Sequence, residues 1–138
     1  VNAKTLSINS GDTVLVTGGA GFIGSAIVRA LLARGCGVRV LEPERATPNL
    51  DGLDVELFYG DVRDAARVAQ AMNGVRLCIH AAALYGFWPR DPAVYYAINV
   101  EGSRNVLAAA VAAGVERTCY TSTVATIGLQ RSHEGDGA

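Results

Sequence analysis

Residues 18–24 read Gly-Gly-Ala-Gly-Phe-Ile-Gly, so Gly18, Gly21 and Gly24 recur at every third position. They follow an apolar, β-rich run, Thr13-Val-Leu-Val-Thr17. After them Phe22, Ile23, Ala26, Ile27, Ala30 and Leu31 recur at helical spacing as far as Arg34. A strand passing into a helix through such glycines has a physical use. Gly18 can take the backbone angles of a sharp turn, and Gly21 lets a pyrophosphate approach the main chain with no Cβ in the way. Gly24 lets the helix pack close to the strand. The N–H groups of the first helical turn, at the positive end of the helix dipole, then face the phosphates. No Gly-Lys-Ser/Thr follows, which argues against a P-loop NTPase. The pattern predicts a dinucleotide site.

The rest of the chain supplies the sheet such a site needs. Gly35 stops the first helix; Val38-Arg-Val-Leu41 reads as a second strand and Val55 to Tyr59 as a short third one. Asp64 caps a predicted helix running to Met72, ended by Gly74. Leu77-Cys-Ile-His80 is a fourth strand, followed by an aromatic loop from Leu84 to Arg90. Asp91-Pro92 then opens a long helix to Ala113, and Arg117 to Ser122 reads as a fifth strand. Strands alternating with helices imply an α/β fold, a Rossmann-type doubly wound parallel sheet. Right-handed crossovers give the order 3-2-1-4-5, with the ligand crevice at the strands' carboxyl ends. The 138 residues are expected to form a single domain, 1–138, incomplete at the C-terminus.

Composition narrows the classes. Half the chain is apolar and 18% is charged, with a net charge of −1. That balance argues against disorder and offers no basic footprint for nucleic acid. The longest apolar run, Val106 to Ala113, is far below the roughly 20 residues of a membrane span, and Val1 to Gly11 shows no export signal. Cys36, Cys78 and Cys119 are odd in number and lack C-x-x-C spacing, so thiols in a reducing compartment are expected, with no metal site. Cytoplasm is the expected location.

Further segments resemble one family. Thr17-Gly-Gly-Ala-Gly-Phe-Ile-Gly24 is similar to the glycine motif of the extended short-chain dehydrogenase/reductase family, the NAD-dependent epimerases and dehydratases. Gly60-Asp61-Val62 looks like that family's adenine-binding step. His80-Ala-Ala-Ala83 resembles its small-residue stretch beneath the nicotinamide ribose. Asn99-Val-Glu-Gly-Ser-Arg-Asn105 resembles its Asn-Val-x-Gly-Thr-x-Asn motif. Tyr120 to Gly128 is similar to the segment that delivers a catalytic Ser or Thr. The branch it looks most like is the dihydroflavonol-reductase-like and sugar-epimerase-like one.

The resemblance implies roles. Gly18, Gly21, Phe22, Ile23 and Gly24 would hold the phosphates, Asp61 and Val62 the adenine, and Ala81, Ala82, Ala83, Asn99 and Thr121 the nicotinamide end. Asn99 reads also as a structural amide bridging the fourth strand and the long helix. Glu42 lies 18 positions after Gly24, near the roughly 20 expected of an acidic residue on the adenosine ribose. A carboxylate there repels a 2′-phosphate, so NAD is expected over NADP, although Arg45 nearby could counter it. His80 reads as packing with one satisfied hydrogen bond, and His133 as solvated. Gly102, costly in mid-helix, implies close packing beneath the cofactor. Tyr85, Phe87 and Trp88 read as either substrate contacts or local packing.

Thr123 matches the family's catalytic hydroxyl, which holds a substrate oxygen while a tyrosine transfers the proton. That tyrosine belongs to a Tyr-x-x-x-Lys motif, and Tyr59, Tyr85, Tyr95, Tyr96 and Tyr120 are followed four positions on by Arg63, Pro89, Asn99, Val100 and Val124. A fragment inactive by itself is therefore expected. The whole protein is expected to be an oxidoreductase or epimerase/dehydratase of a nucleotide sugar or a small ketone or alcohol, and a homodimer when full length. A non-catalytic NAD(P) sensor and a truncated remnant are the alternatives.

Overall fold

Val14 and Val16 point to one side of a strand and Leu15 to the other, and all three are fully buried. Only a sheet covered on both faces needs that pattern. In the computed structural model, which describes residues 7–86 and 91–127, this strand is β1 (Thr13–Thr17), the centre of a parallel sheet. With β2 (Gly37–Glu42), β3 (Glu56–Tyr59), β4 (Leu77–His80) and β5 (Arg117–Tyr120) it forms the order β3-β2-β1-β4-β5. The doubly wound sheet and its strand order are as the sequence implied. Gly128, the tail with His133, and Phe87 and Trp88 lie outside the described residues.

One face of the sheet packs Val14, Val16, Val38 and Val40 against Val28 and Leu31 of α1 (Phe22–Leu32). The other packs Leu15, Leu41 and Cys78 against α2 (Ala65–Ala71) and α4 (Ser103–Ala112) through Val68, Ala71, Val106 and Ala110. Arg39, on the same face as Leu41, caps the end of α2. Its Nη1 donates to the carbonyls of Ala71 and Asn73 at 2.7 Å each. Asp64 opens α2 as its N-cap, accepting from the amides of Ala66 and Arg67 at 3.0 and 3.1 Å.

Two expectations are corrected. The long helix is not uniform: α3 (Pro92–Tyr96) widens into a π-helical turn (Ala97–Gly102) before α4. Gly102 sits in that turn, and a Cβ there would lie 2.5 Å from Cγ2 of Val62. Close packing does explain this glycine, but against the segment after β3 rather than the sheet itself. The fifth strand ends at Tyr120, not Ser122, because its partner β4 ends at His80, opposite Tyr120 in the register. Thr121 adds one last bond, its N–H to the His80 carbonyl at 3.0 Å.

Candidate functional site

The carboxyl ends of β1 to β4 open on a groove of about 730 Å³. Its walls hold every cofactor-binding candidate except Asn99: Gly18, Gly21, Phe22, Ile23, Gly24, Glu42, Asp61, Val62, Ala81, Ala82, Ala83 and Thr121. Arg63, Glu44 and Leu84 also line it and were not singled out in the sequence. A second, more open depression of about 810 Å³ runs along α4 past Leu107, Val111 and Tyr120. It lacks the glycine-rich turn, so the chemistry points to the strand ends.

The glycines form a cradle with no room for a side chain at Gly18 or Gly24, while a Cβ on Gly21 would make one tight contact, 3.2 Å from the Gly18 carbonyl oxygen. Gly18 has φ +68°, and a Cβ there would lie 2.7 Å from Cα of Ala82, across the groove floor. A Cβ on Gly24 would fall inside the Gly18 carbonyl oxygen, so this glycine serves the fold of the loop on itself as much as helix–strand packing. Gly21 is the N-cap of α1, with extended angles and no side-chain cap. The N–H groups of Phe22, Ile23 and Gly24 therefore have no intrahelical partner. Phe22 is 87% and Ile23 56% exposed beside them. An uncapped helix start in a side-chain-free hollow suits a bound anion.

The loop crest is pinned by side chains. Ala20 donates its N–H to Oε2 of Glu42 at 3.2 Å, and its carbonyl accepts from Nδ2 of Asn49 at 2.8 Å. Arg29 in turn donates to the Asn49 carbonyl at 2.9 Å. Burial pushes the Glu42 carboxyl up from the ordinary glutamate range, the Ala20 bond pulls it partly back, and Glu44 adds a like charge. Arg45 is drawn aside onto the ring of Tyr59, 4.8 Å from its centroid. Asn49 and Ala20 carry no motif that would have disclosed this.

Asp61 sits at the groove rim with its carboxylate already engaged. The Arg63 N–H and Nε donate to Oδ1 at 2.8 and 3.0 Å, and Nη2 donates to Oδ2 at 2.7 Å. Arg63 thereby holds the Asp61 carboxyl below its usual range. A carboxylate has about four acceptor positions, so capacity remains for one more donor. Val62 is buried and faces both the groove and Gly102.

Asn99 does not line the groove. Its Oδ1 accepts from the Leu84 N–H and its Nδ2 donates to the Leu84 carbonyl, both at 2.8 Å. The amide thus joins the π-helical turn to the loop after β4. Thr123 also lies off the groove wall, exposed beyond β5, where its carbonyl accepts from the N–H and hydroxyl of Thr126. His80 has two polar partners rather than one. Nδ1 lies 2.6 Å from Thr17 Oγ1 and Nε2 lies 2.9 Å from Ser103 Oγ. Tyr120 stacks on the ring at 5.3 Å, and burial pushes the imidazole down to about 4. At neutral pH it is uncharged.

Among the described residues no helix is long and apolar enough to cross a membrane, and no cluster of His, Cys, Asp or Glu could hold a metal ion.

Known proteins resemble this chain in sequence and in fold. The model of the NAD dependent epimerase/dehydratase family matches residues 14–137. A dihydroflavonol 4-reductase-like protein of Synechocystis sp. is 44% identical over 127 residues, covering 91% of this chain and 36% of that protein. The 3 beta-hydroxysteroid dehydrogenase type 7 of Mus musculus is 37% identical over 126 residues, covering 83% of this chain and 33% of its own length. A UDP-glucose-4-epimerase from Stenotrophomonas maltophila, crystallised with NAD and formylated UDP-arabinopyranose, superimposes with a TM-score of 0.77 at 29% identity. That match covers 89% of this chain and 40% of that one. The chain thus spans about a third of the length of the curated relatives it matches.

Proposed function

The chain belongs to the NAD-dependent epimerase/dehydratase family, and on that premise we propose that residues 1–138 are the NAD-binding domain of an oxidoreductase or epimerase/dehydratase. Its substrate class is a nucleotide sugar or a small alcohol or ketone. The observation that carries this reading is the side-chain-free cradle at the uncapped start of α1, with Glu42 facing it from the end of β2. The residues present fit the cofactor. The first-turn amides of α1 would bind the pyrophosphate, Glu42 the adenosine ribose, Asp61 and Val62 the adenine, and Ala81–Ala83 with Thr121 the nicotinamide end. Bound NAD supplies a hydride acceptor and donor. Thr123, just past β5, would hold a substrate oxygen by hydrogen bond.

NAD is expected to bind more tightly than NADP, because Glu42 meets a 2′-phosphate with like charge. Glu42→Gln keeps an acceptor for Ala20 but removes the charge. NAD binding should weaken by about 10- to 100-fold, as the roughly 1.5–3 kcal/mol of a charged hydrogen bond implies, and the gap to NADP should narrow. The same substitution is expected to raise the stability of the ligand-free protein at neutral pH. A carboxyl whose pKa is raised in the fold stabilises it when protonated, and that contribution is lost as pH rises through the folded value. The two proteins should therefore converge below the ordinary pKa of 4.5. Calorimetric titration with both nucleotides, and urea melts across this range, check the two effects. Tighter NADP binding by the unmodified chain would overturn the assignment of Glu42.

These 138 residues are expected to bind NAD without turning substrate over, since no Tyr-x-x-x-Lys occurs among them. General acid–base assistance is worth about 10²–10⁴-fold, and a threonine hydroxyl does not replace it near pH 7. The check is an assay of NADH formation with nucleotide sugars and simple alcohols, comparing the chain with a full-length protein. Turnover in the longer protein supports the enzyme; binding without turnover in both supports a sensor. Comparable turnover by the chain itself would show the catalytic groups to be misplaced.

A further inference from the structure

Thr17, His80 and Ser103 are three of the few polar side chains buried in this domain, and none of them lines the groove. Their hydrogen bonds run in one direction. The Ser103 hydroxyl donates its single proton to the Asn99 carbonyl at 2.7 Å, so toward His80 it can only accept. The imidazole proton therefore sits on Nε2, which donates to Ser103 Oγ. Nδ1 is then bare and accepts from the Thr17 hydroxyl. Thr17 Oγ1, its proton spent on His80, accepts from the Ala82 N–H at 3.3 Å. The other end of the chain closes as well, because the Asn99 side chain holds both backbone groups of Leu84. Two covalent steps join Leu84 to Ala82. The result is a closed ring joining the ends of β1 and β4, the π-helical turn and the loop after β4.

Reversing any one bond would set two buried donors or two buried acceptors against each other, so the ring has one stable proton order. What it holds is the strip Ala81–Leu84, the floor of the groove. Ala82 in turn sits where a Cβ on Gly18 would be, so the strip and the phosphate loop are in direct contact. We propose that Thr17, His80 and Ser103 are positioning residues that fix Ala82 and Leu84, and through Ala82 the glycine loop, in the geometry a dinucleotide requires. This rests on the NAD-binding reading above. The three residues touch no ligand; they act through the floor they hold.

The test is Thr17→Val against Thr17→Ser in the full-length protein that contains this chain. Valine matches threonine in shape but offers neither the donor for His80 nor the acceptor for Ala82; serine keeps both. NAD affinity is read by titration well below each variant's melting temperature, and exchange of the Ala82 and Leu84 amides is followed by NMR. Thr17→Val is expected to weaken NAD about tenfold and to speed exchange at both amides, with Thr17→Ser restoring most of the affinity and protection. Ser103→Ala cuts the ring on its opposite side and carries the same expectation should the valine variant not fold. A variant that melts at lower temperature yet binds NAD as the unmodified protein does, or keeps its Ala82 and Leu84 protection, overturns the proposal and leaves a structural network only. An unmodified protein that does not bind NAD overturns the functional reading itself, and this inference with it.

Discussion

Gly24→Ala is expected to abolish most of the NAD affinity of this chain and to lower its stability, although it adds one methyl group. That methyl would fall inside the carbonyl oxygen of Gly18. The oxygen is backbone and already accepts from the Gly21 N–H at 3.1 Å, so it cannot swing aside as a flexible side chain could. Either α1 moves away from the loop or the Gly18–Gly21 turn opens. Both displace the first-turn amides that would face the pyrophosphate. Overpacking of this kind costs about 1–3 kcal/mol in stability. Loss of two charge-assisted bonds to phosphate should cost about 100-fold in affinity, or roughly 3 kcal/mol. Gly37→Ala is the control. A Cβ there meets nothing closer than 3.9 Å, and its φ is not in the left-handed region, so stability should hold or rise slightly. Thermal melts and NAD titration of both variants decide the matter. Unchanged affinity in Gly24→Ala would place the phosphates elsewhere.

The contrast between these two glycines shows what the sequence could disclose. Period-three glycines between a strand and a helix have a local cause, so the loop, its place at the carboxyl end of β1 and the sheet order were legible. Strand ends at Thr17 and His80 were legible for the same reason, since the apolar run stops there. Side chains whose partners are distant in sequence were not. Nothing about Asn49 announces that it holds the carbonyl of Ala20, 29 positions earlier. Asp61 reads as a free acceptor until Arg63, two residues on, is seen folded back onto it. Asn99 carried two readings, and nothing in the sequence announces its clamp on the backbone of Leu84, 15 positions earlier. The π-helical turn was invisible because its residues have ordinary helical character; only Gly102 hinted at a close approach. His80 is the sharpest case. A lone histidine at a strand end looks unremarkable in sequence. Its partners Thr17 and Ser103 lie 63 and 23 positions away.

That histidine also sets the second large expectation: stability should fall as pH drops from about 6.5 to about 4. The imidazole titrates near 6.5 in an unfolded chain and near 4 when buried here. Across that window the unfolded state binds the extra proton, so stability rises with pH and is lost on acidification. The limiting slope is about 1.4 kcal/mol per pH unit, and the whole window amounts to roughly 3 kcal/mol. The cause is burial: the ring is fully enclosed, so its charged form loses its hydration. A proton on Nδ1 would also deprive the Thr17 hydroxyl of its acceptor. Glu42 works in the opposite sense above 4.5, because its raised pKa makes acid favour the fold, so the raw curve mixes the two. Asp61, held down by Arg63, contributes only as pH falls below its ordinary 3.8. Urea melts of the unmodified chain and His80→Gln, taken at half-unit steps between pH 4 and 7, isolate the histidine as the difference between two curves. The difference should slope through the window and flatten above it. A ¹⁵N spectrum should place the proton on Nε2 at neutral pH. A His80 midpoint at its ordinary value would mean that the imidazole is not buried, and a proton on Nδ1 would mean that the bonds through Thr17 and Ser103 do not run in this order.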